Sequence, residues 1–128
     1  IFFDNKSNDQ SKNIYLSYKK KKFKYFYSPK KLNLYKARNR AIRLCEGDLI
    51  SFLDVDDWWE KNKLKAQVKV MKNKKIDIVY SNYYVFKEKY DTKKIFSKTI
   101  LPSGNIFEDL INNYKIGILT VMIKKKNF

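Results

Sequence analysis

Short apolar bursts alternate along this chain with longer stretches in which apolar residues return every three or four positions. Residues 1–3 are Ile-Phe-Phe and stop at Asp4; residues 49–53 are Leu-Ile-Ser-Phe-Leu and stop at Asp54. Runs this short, rich in Ile, Leu and Phe, predict buried strands. Between them, Leu34, Ala37, Ala41, Ile42 and Cys45 fall at helical spacing and predict a helix that Gly47 ends. Leu64, Gln67, Val68 and Met71 predict another over residues 60–72. A first helix is expected to run toward Tyr15 with Ser7 or Asn8 as its cap. Phe23 to Tyr27 reads as a strand closed by Pro29, residues 76–80 as a short strand containing Asp77, and residues 118–123 as a final strand. Tyr83 to Phe86 and Ile95-Phe96, split by Lys89-Tyr90-Asp91, predict a hairpin. Pro102-Ser103-Gly104 is a turn, after which Asn105 caps a short helix with Phe107, Leu110 and Ile111 on one side. Strand, helix, strand, helix, strand predicts an α/β fold, a mostly parallel sheet with helices on both faces, to which the late hairpin is an addition. With 128 residues the chain is one domain at most, residues 1–128.

The strand at 49–53 runs into three carboxylates within four positions, Asp54, Asp56 and Asp57. In open α/β sheets, ligands bind at the carboxyl ends of strands. Clustered carboxylates repel one another, and a hard divalent cation offsets that repulsion. Mg²⁺ takes oxygen ligands, often one or two carboxylates together with substrate phosphates. Two other readings compete. Asp54-Val55-Asp56 fits the start of an EF-hand loop, but Trp58, Trp59 and Lys65 stand where that loop needs a ligand, a glycine and a glutamate. A helix N-terminus favours acids through its dipole; that accounts for Asp56 or Asp57 better than for Asp54. Asp4 repeats the arrangement on a smaller scale, either as a turn acid or as a second carboxylate at a strand end. Arg38 lies near the apolar stripe of its helix and needs an anionic partner, which is a structural ion pair or a substrate phosphate. No glycine-rich phosphate loop is present.

Composition narrows the classes. The formal charge is +16. Of 29 basic residues only Arg38, Arg40 and Arg43 are arginine, the usual reader of bases and phosphates. Scattered lysine favours a solvated surface over a nucleic-acid surface, with contact to an anionic membrane leaflet as a further option. The lysine run at 19–22 reads as an exposed loop entering a strand rather than a single-strand binding surface. Cys45 is the lone cysteine and histidine is absent, which excludes a disulfide framework and histidine chemistry for these residues. No apolar run approaches the ~18 residues of a membrane span and no signal peptide is visible, so a cytoplasmic location is expected.

Three segments then carry a resemblance: Ile1-Phe2-Phe3-Asp4-Asn5-Lys6-Ser7-Asn8-Asp9, Ala37-Arg38-Asn39-Arg40-Ala41-Ile42, and residues 47–57, Gly-Asp-Leu-Ile-Ser-Phe-Leu-Asp-Val-Asp-Asp. In order and spacing they resemble family 2 glycosyltransferases of the GT-A fold, across about residues 1–81. Residues 78–82 and 104–124 are similar with less specific motifs. The resemblance implies transfer of a sugar from a nucleoside-diphosphate sugar to a glycan or glycoconjugate acceptor with inversion. It implies that Asp4 and Asn5 contact the nucleoside, Asn5 standing where many members have Asp. It matches Asp54 and Asp56 to the family's Asp-x-Asp, with Asp56 on Mn²⁺ or Mg²⁺ and Asp54 on the ribose or the metal, and Arg38 and Asn39 to its Ala-Arg-Asn. The catalytic base is expected beyond Phe128 and a first strand before Ile1, so these residues alone are expected to be inactive. The alternative is a basic module binding nucleic acid or an anionic membrane; the sugar-transfer reading expects no nucleic acid and, at most, peripheral contact with the inner face of the cell membrane.

Overall fold

The computed structural model describes residues 1–18 and 21–128. The lysine run therefore lies partly outside the described residues, at Lys19 and Lys20; Lys21 and Lys22 are exposed. The chain forms two compact units, Ile1–Gly47 and Asp48–Phe128.

In the first unit, β1 (Phe2–Asp4) pairs in parallel with β2 (Tyr25–Tyr27), Phe2 opposite Tyr25 and Asp4 opposite Tyr27. The connection is α1 (Ser11–Ser17). Alternation places Phe2 and Tyr25 on one face, their rings stacked 5.9 Å apart, and Tyr15 of α1 leans on both at 5.2 and 5.3 Å. Aromatic pairs of this kind add to simple area burial. The helix starts later than Ser7 or Asn8: Asp9 accepts the Ser11 N–H through its side chain at 2.9 Å. The other helix of the unit, α2 (Leu34–Leu44), follows the apolar stripe, with Ala37 buried and Leu34 at its exposed start.

In the second unit, β3 (Leu49–Ser51), α3 (Lys63–Met71) and β4 (Ile78–Val79) form a strand–helix–strand crossover. The expected direction is found but the expected adjacency is not. β7 (Met122–Lys124) lies between β3 and β4, antiparallel to both, so the two strands point the same way with a third in the slot between them. Every pair in this sheet is antiparallel, so the expected mostly parallel sheet is not found here; among the described residues only β1 and β2, a separate sheet, pair in parallel. The final strand also starts later than expected, because residues 118–120 form a 3₁₀ turn instead. Thr120 donates its hydroxyl to the Gly117 carbonyl at 2.7 Å, and its own carbonyl is taken by Gln67 of α3 at 2.6 Å. The extended backbone therefore begins only at Met122. Ile50, Met71, Val121 and Met122 are buried and make the core of this unit with Ile116. Asp77, at the start of β4, pairs with Lys124 of β7 at 3.2 Å.

The hairpin forms as expected, β5 (Tyr84–Lys87) with β6 (Thr92–Ile95). Asp91 takes a left-handed conformation at its tip (φ 47°). α4 (Phe107–Asn112) follows Gly104, whose φ of 85° is the reason a glycine ends the preceding turn. Asn105 accepts the Phe107 N–H at 3.4 Å, a long bond for a cap.

Candidate functional site

The acid turn is built from β3 outward. Ile50 is buried and pairs with Ile123 of β7, and pairing stops after Ser51, which faces Met122. Released from the sheet, the chain turns at once: the Asp57 N–H reaches back to the Asp54 carbonyl at 3.1 Å. Asp54 and Asp57 are half-buried, Asp56 is exposed and Val55 between them is 88% exposed. Burial first, and then the negative charges of Asp56 and Asp54, push the Asp57 carboxyl above its ordinary range. Three like charges thus share one turn, which is the electrostatic condition a divalent cation relieves.

Two tryptophans fix the far end of this turn. The Trp59 indole N–H donates to the Leu119 carbonyl at 2.9 Å. The Lys63 ammonium lies 4.2 Å from the centre of the Trp59 ring and donates to Gln67 at 2.8 Å. Burial lowers the Lys63 pKa. Gln67 completes the strut through Thr120, so Trp59, Lys63 and Gln67, spaced four apart, tie the turn and α3 to residues 119–120. Trp58 meets Phe86 of the hairpin edge-on at 5.6 Å. The sequence marked Gln67 only as part of an apolar stripe. Its i, i+4 relation to Lys63 was the available signal.

In the first unit Asp4 is buried, at 3% exposure, at the end of β1. Its carboxylate accepts the Ser7 N–H at 2.7 Å and the Tyr25 hydroxyl. Burial alone would raise its pKa; the bonds from Tyr25 and Ser7 outweigh that and the net direction is down. The Tyr25 phenol, desolvated and tied to that carboxylate, is pushed up to about 12. The turn Asp4 closes includes Lys6 in the left-handed region (φ 63°), costly for a residue with a Cβ. Asn5 makes a two-point pairing with Leu32, accepting its N–H at 2.9 Å and donating to its carbonyl at 2.7 Å. Asp4 and Asn5 thus stand together as one ordered loop. On α2, Arg38 is half-buried and Asn39 exposed. Asp54 and Asp56 stand together in the second unit.

The donor set at the acid turn suits a hard cation, all carboxylate oxygen. Among the described residues no group of three or more acidic, histidine or cysteine side chains closes a metal cage. Among the described residues no helix is long and apolar enough to cross a membrane.

Comparison with known proteins gives one direction. A family model described as glycosyl transferase family 2 matches residues 1–125. A UDP-Glc:alpha-D-GlcNAc-diphosphoundecaprenol beta-1,3-glucosyltransferase of Escherichia coli is 35% identical over 70% of this chain and 34% of that protein. An amylovoran biosynthesis glycosyltransferase of Erwinia amylovora is 30% identical over 99% of this chain and 46% of its own length. An uncharacterized glycosyltransferase of Rickettsia conorii is 34% identical over 95% of this chain and 20% of its own. The chain thus spans between a fifth and about half of the length of these relatives.

Proposed function

The chain belongs to glycosyltransferase family 2, and from that premise we propose that it forms the nucleotide-sugar-binding part of an inverting, metal-dependent transferase of the GT-A fold. The observation that carries the reading is the crowded acid turn at the end of β3, where burial and then the charges of Asp56 and Asp54 raise the Asp57 carboxyl. Asp56, exposed, holds Mn²⁺ or Mg²⁺; Asp54 serves the same ion or the ribose. When bound, such a cation offsets the charge that grows on a departing nucleoside diphosphate. The chain's own residues position the donor. Asp4 and Asn5 meet the nucleoside, and the bonds each makes to Tyr25, Ser7 and Leu32 keep that loop in one shape before ligand arrives. Arg38 offers a guanidinium to phosphate from α2, with Asn39 beside it. No residue of the chain is assigned the role of base.

UDP is the nucleotide of choice for a first test, because a relative's name carries it. The acceptor is a growing surface polysaccharide or a glycolipid-linked sugar, in keeping with the names of two relatives. A lysine-rich surface suits work at the anionic inner face of a cell membrane. The experiment is titration of the protein with UDP in Mn²⁺ and in EDTA. Metal-dependent binding that Asp56→Ala removes supports the proposal. Binding instead to RNA or anionic vesicles, falling steeply with salt and indifferent to Asp56→Ala, favours a basic binding module.

A further inference from the structure

Beside α4 the second unit holds an open cavity of about 550 Å³, within the size range of small-ligand sites. Its lining differs from the rest of the molecule. Asn105, Asn112 and Asn113 supply three amides, and Glu108 and Asp109 two carboxylates, against a single ammonium from Lys115. In a chain of formal charge +16 this is a patch with a local acidic excess. One wall is Pro102, whose carbonyl accepts the Tyr80 hydroxyl from the end of β4. The Tyr80 phenol is raised by burial and then by the charge of Asp109, so that carboxylate is within electrostatic reach of the same wall. Phe107 adds an exposed aromatic ring.

Asn105 spends one lone pair of its Oδ1 on the Phe107 N–H, but most other polar groups here are uncommitted. Among the described residues the side chains of Glu108, Asp109, Asn112 and Asn113 make no hydrogen bond or ion pair within the protein. That leaves a set of donors and acceptors in both senses: amides that give and take, carboxylates that take. An anionic ligand is disfavoured by two carboxylates against one ammonium. A bare divalent cation is disfavoured because no three ligating side chains converge among the described residues. What fits is a neutral ligand rich in hydroxyls, with one apolar face to lie on Phe107. A pyranose ring has both features: equatorial hydroxyls around its edge and C–H groups on its face.

We propose that the cavity beside α4 binds a sugar ring, through Asn105, Asn112, Asp109 and the face of Phe107, and that this is where the acceptor's terminal sugar is recognised. The role as acceptor site rests on the transferase reading above; the binding of a sugar does not.

The test is titration of ¹⁵N-labelled protein with the methyl glycosides of glucose and N-acetylglucosamine, following the side-chain NH₂ signals of Asn105, Asn112 and Asn113. Saturable shifts are expected for at least one glycoside. Phe107→Ala and Asn112→Ala are each expected to weaken that binding by about tenfold, while UDP binding in Mn²⁺ stays as in the parent. The amide spectrum reports whether each variant is folded, and the isosteric Asn112→Asp serves if the alanine variant is not. No saturable shift with either glycoside, or shifts that survive these substitutions undiminished, overturns the proposal. Sugar binding without UDP binding would sink the donor reading and leave this cavity standing; UDP binding without sugar binding would do the reverse.

Discussion

Asp57 reports the crowding of the acid turn. Its carboxyl is held above the ordinary value of 3.8 by burial and by both neighbouring charges. Between that value and its folded one, the native state binds a proton that the unfolded chain does not. Folding stability is therefore greater on the acid side of the window and falls as pH rises through it. Asp57→Asn removes this cost. The variant is expected to be more stable than the parent in urea at neutral pH, with the difference gone below pH 3.8; an equal difference at both pH values would contradict the crowding. Asp4 behaves oppositely. Its folded carboxyl is lowered, so its contribution to stability is present above the ordinary value and is lost as pH falls through the folded one. Tyr25→Phe takes away the strongest of the bonds that lower it. A carboxyl ¹³C titration should find Asp4 at a higher pKa in the variant, and an unchanged value would show that the phenol does not set it.

Among the elements, the strut from α3 ties the acid turn to residues 119–120. Gln67 is buried and is the link between Lys63 and the Thr120 carbonyl. Gln67→Ala leaves that carbonyl and the Lys63 ammonium without this partner. A loss of about 1–3 kcal/mol in urea unfolding is expected, the range for a buried polar group stripped of its bond; a loss of a few tenths would mean that water or a neighbour substitutes freely. These elements were unevenly legible in the sequence. α2 and the hairpin could be read because their signals are local: a 3.6-residue stripe in one, two apolar runs around Lys89-Tyr90-Asp91 in the other. β7 could not be placed, since its slot between β3 and β4 depends on partners more than forty positions away in sequence. Its late start was hidden for the same reason, being decided by Gln67 on another element. Ile118 to Ile123 is uniformly apolar or β-branched, and nothing within it distinguishes a 3₁₀ turn from extended chain.

On the scale of the whole molecule, three sequence segments in register point to the family, and the family model covers residues 1–125, which include all three. The candidate site was legible in its residue types and only partly in its environment. Asp56 stands exposed on a turn, as a ligand-binding carboxylate needs. Asp4 and Asn5 are also committed inward, to Tyr25, Ser7 and Leu32, bonds formed across the unit that no local motif announces. The net charge of +16 adds a background that attracts any anion. A test of the site must therefore separate a specific diphosphate from general attraction. Calorimetry of UDP binding at two salt concentrations, with Mn²⁺ and with EDTA, does so in one series. Affinity is expected to fall by at least about tenfold when the metal is removed, and by a similar factor in Asp56→Ala with the metal present. Salt should have a smaller effect than either. UDP binding that is indifferent to both the metal and Asp56, and that fades with salt alone, would contradict a cation-and-diphosphate site at the acid turn.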